Sequence, residues 1–130
     1  MVCGEFVHMN LWIKMTYSLS LIAKYANGEA WDREVLKMWK DEGWKVTDQV
    51  YFKDPVSGIK ARLDGVARKG DEFVYLENKF SGAELSGNQK IIYPKIASGE
   101  AVPAGEKALE AFGRDLKYKQ QNVLINATPK

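Results

Sequence analysis

Asp64, Glu77 and Lys79 fall within the stretch RLDGVARKGDEFVYLENKF, in which an acid is followed, twelve intervening residues later, by acid-x-lysine. Two carboxylates and an ammonium can hold a hard divalent cation and steady negative charge growing on a phosphate. Whether they meet depends on the turn between them. If Gly70 and Asp71 are the loop residues of a hairpin, Lys69 faces Glu72 and, counting outward, Asp64 faces Glu77. Cross-strand partners hold their Cβ atoms roughly 5 Å apart, close enough for two carboxylates to share one cation. Strand alternation puts Lys79 on the side of Glu77 and turns Leu76 and Asn78 away. Juxtaposed carboxylates repel, more so when buried, unless something positive sits between them. With oxygen donors and no cysteine or histidine, magnesium or manganese suits such a site far better than zinc. The backbone carbonyl of Asn78 is a further oxygen ligand, and Gly65 removes side-chain bulk beside Asp64. Lys79 is placed to orient an attacking water or to stabilise a charged phosphate. The plain alternative is a solvated strand face that happens to carry these three charges.

Three further groups extend the set. Glu34 borders the Trp31/Val35/Met38 stripe, so a helix packed on the sheet could bring its carboxylate to the hairpin, or leave it an ordinary boundary glutamate. Gln89 and Tyr93 are four residues apart on one helical face, with Lys90 beside them. The amide could bond a phosphate, a base edge or water, and the phenol could contact a phosphate or stack. A polar cap and a core-edge tyrosine are the blander assignment. Lys90, Lys95, Lys107, Arg114, Lys117 and Lys119 make the later half a phosphate-facing or merely solubilising surface. His8 lies far from the constellation, Cys3 is a lone thiol with no base nearby, and the four tryptophans read as core. No GxxxxGK phosphate loop is present.

The elements that must position these groups follow from periodicity. Leu11–Tyr25 has the apolar content of a helix, though Thr16, Ser18 and Ser20 also permit an extended reading, and Glu29–Glu42 is a clearer helix with Gly43 as its stop. Trp44–Phe52 reads as a strand ended by the turn KDPVSG, and two strands then flank Gly70-Asp71. Ser86 and Gln89 have capping-box spacing at the start of a helix that Pro94 should kink or end early. A loop-rich stretch with a short helix over Glu106–Phe112 precedes a final strand in QNVLINAT. Helix, helix, three strands, helix, loop, strand is an order that closes a central mixed sheet with helices on its faces.

The 130 residues suit one domain with one core, and 45% apolar with 28% charged residues reads as globular. A net charge of +2 permits a polyanionic partner without requiring one. One cysteine excludes an intrachain disulfide and a four-cysteine zinc site. The apolar run Met15–Ala23, bounded by Lys14 and Lys24, is too short to span a bilayer and sits too late for a signal peptide.

With GNQKIIYP following it, the stretch RLDGVARKGDEFVYLENKF resembles the PD-(D/E)xK, or restriction-endonuclease-like, nuclease superfamily. The flavour is similar to toxin domains of bacterial polymorphic and contact-dependent secreted toxins. The resemblance covers about residues 29–126 as the core, with 1–28 as an N-terminal helical extension. It implies an α/β fold with a restriction-endonuclease-like mixed sheet flanked by helices. It implies a Mg²⁺-dependent endonuclease, Mn²⁺ serving as well, acting on DNA ahead of RNA. Glu34, Asp64, Glu77 and the Asn78 carbonyl would hold the metal, Lys79 and Gln89 would complete the catalytic set, and Tyr93 and Lys90 would help position substrate. Arg62 and Leu63 stand where the family's proline usually precedes the acid. A toxin domain would act in the cytoplasm of a target bacterium after delivery within a larger protein, and would have a cognate immunity protein. A junction-resolving or repair nuclease, working as a homodimer, and a non-catalytic binding module of the same fold are the alternatives.

Overall fold

The structure, a computed structural model, describes residues 28–127. Cys3, His8, Trp12 and the predicted Leu11–Tyr25 helix lie outside the described residues. The order is α1 (Gly28–Asp41), β1 (Lys45–Lys53), β2 (Lys60–Lys69), β3 (Glu72–Lys79), α2 (Gly87–Ser98), β4 (Val102–Ala104), α3 (Glu106–Phe112) and β5 (Val123–Ala127). The strands form one sheet in the order β4-β1-β2-β3-β5, antiparallel except that β5 runs parallel to β3. A mixed five-stranded sheet flanked by three helices is therefore an α/β arrangement, as expected. No helix among the described residues is long and apolar enough to cross a membrane.

Each sheet face has its own core. On one, α1 lays Trp31, Val35, Leu36, Met38 and Trp39 against Ala67, Val74 and Leu76. Trp39 meets Trp44 edge-on at 5.1 Å, and both rings are buried, as are those of Trp31. Truncating such a ring typically costs about 3–5 kcal/mol, so this face holds α1 firmly. On the other, α2 and α3 cover Val50, Phe52, Leu63, Phe73 and Tyr75 with Ile92, Ile96 and Phe112.

The hairpin forms in the expected register, with Lys69 opposite Glu72 and Gly70 at φ 62°. Its ladder runs only as far as Gly65 opposite Leu76, whereas β2 continues to pair with β1 down to Lys60. The two central strands thus part at Asp64 and Glu77. Alternation slips at the same rung. Leu63 and Val66 belong to one core although they are three residues apart, while a Cβ on Gly65 would point at Leu36 of α1, 2.7 Å away. Across the ladder, Gln49 stands opposite Asp64 and takes φ 57°, a left-handed conformation uncommon for a residue with a side chain. Because both strands slip together, the register is kept and the hairpin bends.

The turn after β1 is closed by Asp54, whose carboxylate accepts from the Val56 amide and the Ser57 hydroxyl, each at 2.9 Å, and from Lys95 of α2 at 2.7 Å. Those hydrogen bonds, the lysine's first, hold its pKa down at about 2. Helix α2 carries the predicted capping box at Ser86 but continues through Pro94 to a left-handed Gly99. Pro94 and Lys90 both face solvent, so water can satisfy the carbonyl that the proline leaves unbonded. Buried Ile92, Tyr93 and Ile96 keep the last turn in place. The short edge strand β4 was not expected. Its three residues, one a proline, carry no readable alternation and find their partner only at Tyr51–Lys53.

Candidate active site

The parting of β2 from β3 opens a cleft of about 850 Å³ between the first turns of α1 and α2. Asp64, Glu77, Lys79 and Gln89 all line it, as do Asp32 and Asn78. The hairpin register carries the two acids to the fork, and both project into the same space.

Glu77 is 2% exposed and well supplied with donors. Lys79 Nζ lies 3.1 Å from Oε2, the Gln89 amide donates to the same oxygen at 3.2 Å, and the Tyr93 hydroxyl donates to Oε1 at 2.5 Å. The capping box explains the aim of Gln89. Its Oε1 accepts from the Ser86 amide at 2.8 Å, which leaves the NH₂ end directed at Glu77. A single side chain thus ties the start of α2 to the acid strand.

Asp64 is less well compensated. Its Oδ2 accepts from the Asn78 amide at 2.7 Å. Burial is the main influence on its acidity, the Asn78 bond opposes it, and the Glu77 charge adds to it, so the pKa rises to about 6 despite Lys79. Half of the acid pair is therefore short of positive charge at neutral pH. A folded-state pKa above the ordinary carboxylate value means that ionising Asp64 destabilises the fold. That cost is absent below about pH 4 and complete once the pH has risen well past 6. In metal-free protein, Asp64→Asn should therefore melt roughly 3–6 °C higher than wild type at pH 7.5, with the gap closing toward pH 4. Calorimetric melts across that range measure it, and a gap independent of pH would assign the effect to packing instead.

Behind the acids runs a chain of amides. Asn126 of β5 donates to Asn78 Oδ1 at 3.0 Å, and Asn78 Nδ2 donates to Asp32 Oδ1 at 2.6 Å. The Asn78 side chain does point away from Glu77, toward α1, where these partners fix it. Burial raises the Asp32 pKa, the Asn78 amide offsets part of the rise, and the nearby Asp64 charge adds to it.

Three expected positions are corrected. Glu34 does not line the cleft; Asp32 occupies that place on α1. Leu36 and Trp39 join Trp31, Val35 and Met38 in the buried face. At 100° per residue this turns the face to within about 60° of Asp32 and leaves Glu34 about 100° from its centre. Tyr93 is buried behind Glu77 and does not line the cleft, and burial followed by the Glu77 carboxylate keeps its phenol protonated as a donor to the acid. Lys90, one helical step from Gln89, is exposed but does not line the cleft. Half of the six cations of the expected basic surface are paired with acids, Lys95 with Asp54, Lys107 with Asp48 and Lys117 with Asp115.

Among the described residues, no three His, Cys, Asp or Glu side chains converge as a metal cluster. The donors on offer for a cation are the carboxylates of Asp64 and Glu77 and the Asn78 carbonyl, all oxygen. Set against family models, curated proteins and solved structures, the chain gives no match.

Proposed function

We propose that the cleft hydrolyses phosphodiester bonds of a nucleic acid with magnesium or manganese as cofactor. The observation that carries this reading is Asp64: a carboxyl pushed up to about 6 beside a second carboxylate, in an open cleft, one residue pair from a lysine. Two carboxylates and a carbonyl fit magnesium, which keeps several waters and takes the rest of its shell from substrate phosphate and does not require an all-protein cage. When bound, that ion would supply Lewis acidity to the phosphate and to water.

The chain's own groups divide the remaining work. Glu77 is held in place by Tyr93 and Gln89, so its oxygens stay aimed at the cleft. Lys79, mostly buried at the cleft wall, faces the acid pair and can orient a water and balance charge on the phosphoryl oxygens. The sheet parted at an acid pair, with E-x-K on β3 beside the central strand and helices on both faces, supports a restriction-endonuclease-like reading of the fold. Delivery as a toxin, with an immunity partner, rests on the sequence resemblance alone.

The test is purified protein against supercoiled DNA, linear DNA and total RNA with magnesium, manganese or EDTA. Metal-dependent cleavage of any of these supports the proposal, DNA being favoured. Full activity in EDTA, or binding with no cleavage under any condition, overturns it, and the second outcome would mark a binding module.

The helix acid gives a sharper comparison. Asp32→Asn keeps an oxygen for the Asn78 amide but removes charge from the cleft, and should slow turnover roughly tenfold or more. Glu34→Gln should stay within about twofold of wild type, because its side chain lies outside the cleft. Initial cleavage rates at several magnesium concentrations, on proteins with wild-type circular dichroism, separate the two. The reverse order would restore Glu34 as the functional acid.

A further inference from the structure

The bend at Gln49 and Asp64 leaves the far half of the β1–β2 hairpin with one face clothed and, among the described residues, one face bare. Val50, Phe52, Ala61 and Leu63 point into the core under α2 and α3. The alternate positions, Tyr51 and Lys53 on β1 and Lys60 and Arg62 on β2, therefore point to the other side. There α1 packs only on the near half of the hairpin, over Gly65 and Ala67. Lys53, Lys60 and Arg62 are exposed and Tyr51 is half-buried.

This bare face has a single-signed charge. The register sets Tyr51 beside Arg62 and Lys53 beside Lys60, and Lys60 Nζ lies 5.0 Å from the centre of the Tyr51 ring. Among the described residues, none of the three cations forms an ion pair with a carboxylate, unlike Lys95 and Lys107. The face is also continuous with the candidate active site. Tyr51, Lys60 and Arg62 line the same cleft as Asp64 and Glu77. Along β2, Lys60, Arg62 and Asp64 occupy one row, with about 6.7 Å between alternate side chains. A chain of phosphates following that row would be led from two cations to the acid pair.

We propose that this row is a subsite for an unpaired polynucleotide strand, with phosphates on Lys60 and Arg62 and a base stacked on Tyr51. Cations alone would serve a duplex equally well. The aromatic ring decides between them, because a duplex keeps its bases stacked inside and can use the lysines and arginine but not the ring. The cleft would then draw its substrate from single strands, loops or frayed ends. The inference rests on the phosphodiester reading for its choice of ligand, and the experiment reads binding without turnover so that the two can fail separately.

Fluorescence anisotropy of the full chain in EDTA, with labelled twelve-nucleotide DNA and RNA single strands and the matching DNA duplex, is the measurement. Either single strand should bind at least about tenfold more tightly than the duplex. Tyr51→Ala should weaken single-strand binding about 5- to 100-fold and Tyr51→Phe should retain it, since stacking needs the ring and not the hydroxyl. Lys60→Ala and Arg62→Ala should each lower the salt dependence by about one phosphate contact. Equal or tighter duplex binding, unchanged binding by a folded Tyr51→Ala protein, or no binding to any probe would overturn the proposal. Tyr51-dependent binding without cleavage in magnesium would leave this subsite standing and remove only the catalytic reading.

Discussion

Lys79→Ala protein is expected to fold and to bind magnesium, yet to cleave phosphodiesters about 10²–10³-fold more slowly than wild type. The lysine ammonium sits 3.1 Å from Glu77, but it is not that carboxylate's only partner. Gln89 and Tyr93 continue to donate to Glu77 when the lysine is removed, so the acid stays solvated by the protein and the strand keeps its place. Removing a positive charge from beside two carboxylates should, if anything, favour a cation at the site. What is lost, on the proposed mechanism, is the group that would balance charge on the phosphate as it develops and hold a water in line. Calorimetric titration with magnesium and plasmid or RNA cleavage should therefore move apart. A folded Lys79→Ala protein that cleaves at the wild-type rate would sink the mechanism, whereas a matched loss of metal binding would reassign the lysine to holding the acids in place.

Why the site was legible from sequence follows from where each group sits. Asp64, Glu77 and Lys79 are related by a two-residue turn and by strand alternation, two local rules that hold whatever the rest of the chain does. Gln89 was legible for the same reason, since the capping box that orients it spans only Ser86 to Gln89. Asp32 was not. Its place depends on how far α1 rolls on the sheet, and that is set by Leu36 and Trp39 meeting Ala67, Val74 and Leu76, contacts that a stripe drawn through Trp31, Val35 and Met38 does not contain. The amide chain from Asn126 to Asp32 was hidden similarly, because it joins residues 94 positions apart through the parallel pairing of β5 with β3. The bend that bares Tyr51 leaves no turn residue to announce it: a glutamine takes the left-handed conformation, at a site the sequence marks only with an ordinary run of strand residues.

Asp64→Ala and Glu77→Ala should both lose metal-supported cleavage to background, for related but distinguishable reasons. Asp64→Ala removes the carboxylate that is least compensated by the protein, and with it the charge deficit that would draw a cation. Its loss frees the Asn78 amide in a cleft that water can reach, so the fold should survive and magnesium heats should vanish. Glu77→Ala is more disruptive, since it takes the acceptor from Gln89 and Lys79 and leaves the buried Tyr93 hydroxyl only the Arg62 carbonyl, 3.2 Å away. Leaving buried donors unsatisfied costs about 1–3 kcal/mol each, so a null result from that variant alone would be ambiguous. Glu77→Gln resolves it. The amide oxygen can still accept from Tyr93 although its NH₂ then faces Lys79 and Gln89, so the comparison is made on protein with wild-type circular dichroism, in which cleavage should fall by at least about 10²-fold because one of two charges on the cation is gone. The wild-type pH profile supplies an independent readout of the same pair. Asp64 must be ionised to hold a cation, so metal-dependent cleavage should rise as pH increases through about 6 and level off above it. Rates in magnesium between pH 5 and 8 test this. Glu77→Gln with wild-type turnover, or a wild-type profile flat across that range, would show that the acid pair is not where the reaction is carried.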